Sequence, residues 1–322
     1  MRVLLLILLA TAPADAFLFG GASDRRAAAL LTEMRAAYAK GDCQTVTHGS
    51  EAFLREKPPA GLREEAYGYI GGCYERSGLT DKAISLYKLA IGLHPDNALF
   101  AGRLAAIYNA AGFSANAVPL FLKVLALRSD DIEASLGLAR AYAALGFYGR
   151  AKEYYSRAVI LQDFSDAAVL REYSACMLKK RDWDEALYIA AKGAALAPRS
   201  AYWRLSRARV WAGHGDYYKA LPELEAAINL EPSRPLRLER ALYLLMGGLP
   251  RRAIEAAEPE LAADPKDPLA SIVKGMALYR LGEKAAAEPY FMAARAGGQF
   301  TAKVAGAFLG GEKDTGGDAC KK

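Results

Sequence analysis

Eight small residues stand in one column of this sequence. Val46, Ala83, Ala117, Ala151, Ala186, Ala220, Ala253 and Ala287 follow one another at intervals of 37, 34, 34, 35, 34, 33 and 34 residues. A fixed period of this length constrains a chain more than any composition does. Each copy is one supersecondary unit, too small to bury its apolar face alone, so neighbours must stack. Other columns keep the same step. Five residues before each small residue stands Gly41, Gly78, Gly112, Gly146, Arg181, Gly215, Gly248 or Gly282. Nine before stands Ala37, Tyr74, Tyr108, Tyr142, Met177, Trp211, Leu244 or Leu278. Four after stands Ser50, Tyr87, Phe121, Tyr155, Ala190, Leu224, Ala257 or Phe291. Pro58, Pro95, Pro198, Pro232 and Pro265 close units.

Each column has a physical task. Glycine takes the left-handed backbone that ends a first helix. The small residue lets two helices approach, and the aromatic one turn later fills the space beside it. Proline lacks an amide donor and stops the second helix. The unit is therefore helix, tight turn, helix, turn, and the fold class is all-α.

This grammar resembles the tetratricopeptide repeat. The resemblance is strongest in three consecutive units, carried by Tyr67, Gly71, Tyr74, Ala83, Tyr87, Ala90 and Pro95, then Leu104, Ala105, Tyr108, Ala117 and Phe121, then Leu138, Ala139, Tyr142, Ala151, Tyr155 and Ala158. It implies a right-handed superhelical solenoid of about eight units. The expected organisation is a signal peptide over 1–16, a linker over 17–26, a divergent helical hairpin over 27–60, the array over 61–297, a capping helix over 298–309 and a disordered tail over 310–322. The hairpin lacks the aromatic columns, and Arg181 stands where the fifth unit should have its turn glycine. In the segment after Gly297, Phe300, Val304 and Phe308 are spaced i, i+4, i+8, as expected of a helix covering the last unit.

The resemblance implies a non-catalytic scaffold in which first helices line a concave groove and bind a partner protein or peptide. Groove positions include Glu65, Gly68, Gly72 and Glu75, then Leu99, Gly102, Ala106 and Asn109, then Glu133, Leu136, Arg140 and Ala143, followed by Arg171 and Arg209. Gly68 and Gly72 occupy the places where chaperone-binding members carry a carboxylate-holding pair, so that clamp is absent. Two further readings stay open. Arg140, Arg171 and Arg209 form a basic ladder suited to an acidic peptide or acidic polysaccharide, or are ordinary surface arginines. Leu238, Leu242, Ile272, Met276 and Tyr279 form an apolar stripe for a partner segment, or are buried between helices by a register shift. A self-associating structural array is the third functional alternative.

The N-terminus bears on location. Met1-Arg2, the apolar run Val3–Ala10, Pro13 and the Ala14-Asp15-Ala16 signature match a secretory leader cut after Ala16. The competing reading is an uncleaved anchor. The apolar run is shorter than the roughly 20 residues a span requires, so no integral span is expected in the mature chain. Export to a periplasm or cell envelope would place the cysteines in an oxidising compartment. Cys43 and Cys73 lie nearly symmetrically about Pro58-Pro59, which brings them together if the flanking helices run antiparallel. They form a disulfide, or remain two separate buried thiols. Cys176 reads as an inert core thiol, and Cys320 as a free thiol or intermolecular link in the tail.

Chemistry beyond binding has little support. A formal net charge of +6 is spread along the chain without a dense basic run, which argues against nucleic acid as partner. His48, His94 and His214 have no metal-ligand spacing with one another or with cysteine. No phosphate loop or nucleophile elbow occurs. No cofactor and no catalytic residue is expected; the expected partners are envelope proteins or peptides.

Overall fold

The computed structural model describes residues 21–309. The expected leader, residues 17–20 of the expected linker, and the expected tail with Cys320 lie outside them. The described residues form seventeen α-helices and no strand. The chain divides into two compact units after Ala158.

The first unit holds α1 (Ala22–Ala39), α2 (Cys43–Arg55), α3 (Ala60–Arg76), α4 (Thr80–Leu93), α5 (Ala98–Ala110), α6 (Ser114–Leu127), α7 (Ile132–Ala144) and most of α8 (Tyr148–Leu161). Helix α1 starts at Ala22, inside the stretch expected as linker. The second unit holds α9 (Ala167–Lys180), α10 (Trp183–Leu196), α11 (Ala201–Gly213), α12 (Tyr217–Leu230), α13 (Arg234–Met246), α14 (Pro250–Ala263), α15 (Pro268–Arg280), α16 (Lys284–Arg295) and α17 (Gln299–Leu309).

The sequence columns become one repeated joint. The amide of the residue after the turn donates to the carbonyl of the residue nine before the small column. Leu79 reaches Tyr74 O at 2.8 Å, Phe113 reaches Tyr108 O at 2.8 Å and Phe147 reaches Tyr142 O at 2.9 Å. Asp182 to Met177 O at 3.0 Å and Asp216 to Trp211 O at 2.9 Å repeat the bond in the second unit. This capping bond satisfies carbonyls that the helix end would otherwise orphan, and it needs positive φ at the turn. Gly146 supplies it at +79°. Arg181 adopts the same region at +59°, so the joint survives there with a residue that pays the Cβ penalty.

The small column is fully buried in every unit, from Val46 to Ala287. Beside it the aromatics enter holes that only glycine leaves. A Cβ on Gly71 would lie 2.4 Å from Tyr87 Cε1, and one on Gly137 would lie 2.2 Å from Phe121 Cζ. The hydroxyl of Tyr87 donates to Glu75 at 2.5 Å, so its buried polar end is satisfied.

The first hairpin is built differently. Its columns carry Ala37 and Ser50 where later units carry Tyr74 and Tyr87. Losing a buried aromatic costs about 3–5 kcal/mol in a core. Cys43, at the start of α2, is disulfide-bonded to Cys73 in α3, 30 residues on. Closing a loop of that size contributes about 3–4 kcal/mol by chain entropy. The covalent bond thus offsets about one such aromatic.

At the other end α17 covers the last repeat. Phe308 stacks on Phe291 at 4.8 Å between centroids and meets Tyr279 edge-on at 5.0 Å. Val304 packs on the same cluster. Phe300 departs from expectation: it is 71% exposed, and Thr301 and Ala305 are buried instead. The covering face runs through Thr301, Val304, Ala305 and Phe308, spaced i, i+3, i+4 and i+7, and Phe300 lies at its edge.

Candidate functional site

In the first unit the helices α1, α3, α5 and α7 present an inner face with two grooves. One, of about 420 Å³, lies between Tyr38 of α1 and Leu99 and Arg103 of α5, with Gly68 and Gly72 of α3 in its lining and Tyr87 behind them. The other, of about 720 Å³, lies between α5 and α7, with Gly102, Ala106, Val124 and Gly137 in its lining. Leu99 and Arg103 belong to both.

The grooves exist because their floors lack side chains. The glycines differ in why they are glycine. Gly72 is required by packing, since a Cβ there would lie 2.6 Å from the Tyr38 hydroxyl. Gly68 and Gly102 are not: a Cβ would find Leu99 Cδ2 at 3.6 Å and Val124 Cγ2 at 3.7 Å, ordinary contacts. A helical glycine that packing does not demand costs roughly 0.5–1 kcal/mol against alanine. What these two residues maintain is open space.

The expected groove residues Glu65, Gly68, Gly72, Leu99, Gly102, Ala106, Asn109, Glu133, Leu136 and Arg140 do line these grooves. Their side chains are held in place from within. Arg35 reaches Glu65 at 2.7 Å and the Tyr69 hydroxyl donates to the same carboxylate at 2.7 Å. Burial and that carboxylate raise the Tyr69 pKa. Glu64 accepts from Asn97 Nδ2 at 2.6 Å and faces His94 Nδ1 at 3.4 Å. Asn109 fastens α5 to α7: its Nδ2 donates to Gly137 O at 3.1 Å, and its Oδ1 accepts from Ser114 at 2.8 Å. Arg103 is held more loosely, 3.9 Å from Glu75 and about half exposed. It was not among the residues expected from sequence. Its position one helical turn after Leu99 is the signal that places it on the groove side.

The inner helices of the second unit are filled in. Arg209 makes two parallel bonds to Glu239, 3.0 Å to each carboxylate oxygen, and Glu239 also accepts from the Tyr243 hydroxyl at 2.8 Å. This repeats the Arg35–Glu65–Tyr69 trio of the first unit, and the Glu239 hydrogen bond raises the Arg209 pKa. Arg171 donates to Ser200 Oγ at 3.0 Å and lies 5.1 Å over the Tyr202 ring. A ladder of uncommitted guanidinium groups is therefore not what the molecule has. Arg207 is bound to Glu223 at 2.8 Å and Lys274 to Glu258 at 3.2 Å, which accounts for cations standing where earlier units have apolar residues.

Of the two readings of the apolar stripe, burial between helices describes most of it. Leu238 and Ile272 are buried, 8% and 4% exposed. Met276 is half-buried against the same core as Ile272 and Phe291. Only Leu242 and Tyr279 stay exposed, at 40% and 37%, and Tyr279 is backed by Phe308. The buried side of α13 runs through Leu238, Ala241 and Leu245, spaced i, i+3, i+7. Leucines on that side face neighbouring helices rather than a groove.

A buried charged joint ties α13, α14 and α15. Glu260, 3% exposed, accepts from Arg237 Nε at 2.5 Å and lies 3.3 Å from Arg234 Nε. Arg234 also bonds Asp267, which caps α15 through the Ala270 amide at 2.6 Å. The hydrogen bond from Arg237 holds the Glu260 carboxyl below its ordinary range, against the opposing effect of burial. Cys176 is buried, and burial pushes its thiol up to about 11. Among the described residues no group of His, Cys, Asp and Glu is arranged to hold a metal ion. Among them, too, no helix is long and apolar enough to cross a membrane.

A family model described as tetratricopeptide repeat matches residues 238–300. No curated protein matches the sequence. Among solved structures, a tetratricopeptide repeat protein from Parabacteroides merdae ATCC 43184 is similar at a TM-score of 0.51 and 17% identity, over 79% of this chain and 99% of its own. YrrB, described as a TPR protein with an unusual peptide-binding site, has a TM-score of 0.51 and 22% identity over 54% of this chain and 89% of its own. MamA has a TM-score of 0.50 and 22% identity over 53% of this chain and 93% of its own. At such identities the likeness is one of fold. The match over residues 238–300 identifies tetratricopeptide repeats in the second unit, and the same joint recurs through the first, so the fold is that of tetratricopeptide-repeat structures.

Proposed function

We propose that this protein is a non-catalytic scaffold of the cell envelope that holds an extended segment of a partner protein against the inner face of its first unit. The observation that carries this reading is the unforced glycine pair. Gly68 and Gly102 keep space in two grooves that share Leu99 and Arg103, at a cost in helix stability that packing does not explain. Exposed Leu99 offers an apolar contact and Arg103 a guanidinium able to meet a main-chain carbonyl or a carboxylate. Peptide recognition by such a surface needs small floors, apolar rims and few directional groups. Export is supported by the leader-like Met1–Ala16 and by the Cys43–Cys73 bond, which suits an oxidising compartment.

Filling the groove tests the reading. Gly102→Trp places an indole in the space between α5 and α7. Affinity purification from the native envelope should then lose the partner at least about tenfold, with the helical circular dichroism kept. Retention of the partner at wild-type yield by a folded Gly102→Trp protein would turn the assignment to another surface. Recognition of acidic polysaccharide is disfavoured, because Arg209 is already neutralised by Glu239.

A further inference from the structure

The first groove is walled on one side by the hairpin that lacks aromatic columns. Tyr38, near the end of α1, supplies that wall. Its hydroxyl lies against Gly72, its ring is 5.0 Å from Tyr69, and Arg76 covers it at 4.1 Å. Three of these contacts reach α3, and so does the disulfide from Cys43. Cys73 is fully buried, whereas Cys43 is partly exposed at the start of α2. The Cys43 side is therefore the more open approach to the bond for a soluble reductant.

We infer that the Cys43–Cys73 bond is a redox latch on the first groove: oxidised, it fixes the Tyr38 wall, and reduced, it releases the hairpin and opens that side. The inference rests on the proposed binding role of the same groove. The step balances with a dithiol as reductant. Its thiolate attacks Cys43 Sγ, the sulfur–sulfur bond breaks, and the electron pair leaves on Cys73 Sγ, which takes a proton. The second thiol of the reductant then displaces Cys43, which is protonated in turn. The protein gains two electrons and two protons, and the reductant becomes a disulfide. The latch is at α2 and α3, while the wall it holds is on α1; the link is the short Gly41 turn and the shared core of Met34, Ala37, Val46, Ile70 and Cys73.

The test is hydrogen exchange on the full chain, oxidised and after dithiothreitol, with a photo-crosslinker at Leu99 used in both states. Reduction should lower protection in α1 and α2 on the order of 100-fold, expose amides of α3 around Gly68, and leave α13 to α16 unchanged. Reoxidation should restore the pattern. Crosslinking to the partner from Leu99 should fall about tenfold in the reduced protein. Unchanged protection of α1 and α2 overturns the latch and leaves the groove reading standing. Equal crosslinking in both states also overturns it. Absence of any adduct in the oxidised protein defeats the groove reading alone, since the exchange result is independent of a ligand. Because reduction of the folded protein needs no variant, failure of a Cys73→Ser protein to fold does not obscure the outcome.

Discussion

The two units use one repeat grammar and share an Arg–Glu–Tyr trio on their inner helices, but differ in how much of that face they leave open. In the first, Gly68, Gly102 and Ala106 leave room. In the second, the corresponding side is occupied by Arg209 paired with Glu239 and by Arg171 bound to Ser200 over the Tyr202 ring, with Leu238 and Ile272 turned into the core. The backbone joint and the buried small column are the same in both. A solenoid therefore does not become a binding surface by having the fold. It becomes one where the inner positions are left unfilled by the protein's own side chains.

Four substitutions sharpen or break this contrast. The largest effect is expected at Gly137, which receives the Phe121 ring. Gly137→Ala puts a Cβ within 2.2 Å of that ring and should destabilise the first unit by about 1–3 kcal/mol, read as an earlier transition in urea. Gly68 and Gly102 would lose their special status if they responded the same way.

The second concerns acid. Glu260 is held below its ordinary pKa by Arg237. A carboxylate with a depressed folded pKa adds stability above its unfolded pKa, and that stability is lost as pH falls through the folded one. The second unit should therefore weaken on acidification below the ordinary carboxylate range. Glu260→Gln should be less stable near neutrality and flatter in its acid response, as followed by hydrogen exchange in α13 to α15. An equal acid slope in the variant would remove Glu260 from the account.

Third, Gly102→Ala should stabilise the first unit by about 0.5–1 kcal/mol, because the added methyl meets only Val124 at 3.7 Å. Thermal unfolding measures it, and a destabilisation would mean that packing, not open space, explains the glycine. The smallest effect is expected at Arg209. Its pair with Glu239 is about half exposed on the arginine side, so Arg209→Ala should cost about 0.2–1 kcal/mol. It should leave partner capture by the first unit unchanged.

Much of the fold was legible because the signals are local and repeated. The turn glycines, the small column and the aromatics read directly as joints and knobs, and Arg181 kept its joint although its residue type broke the column. The first hairpin was legible as an exception, and the symmetry of Cys43 and Cys73 about Pro58-Pro59 anticipated where α2 and α3 meet. The inner surface was legible only in the first unit. There the groove rule worked because small residues leave side-chain direction unambiguous. In the second unit it failed at Leu238 and Ile272, since a helix with leucines at several phases does not declare which face its neighbours bury. Nor does one chain position show that Arg209 is matched by a carboxylate 30 residues later. Phe300 misled for a related reason: i, i+4, i+8 spacing drifts around α17, and its first member falls at the edge of the face that Thr301 and Ala305 centre.

The central claim is that the first unit carries the partner and the second does not. Photo-crosslinking in the native envelope tests it most directly, from Leu99 in the shared rim of the two grooves and from Leu242 on α13, which are similarly exposed at 43% and 40%. The account predicts a discrete protein adduct from Leu99 and none from Leu242. An adduct from Leu242 with none from Leu99 would contradict it.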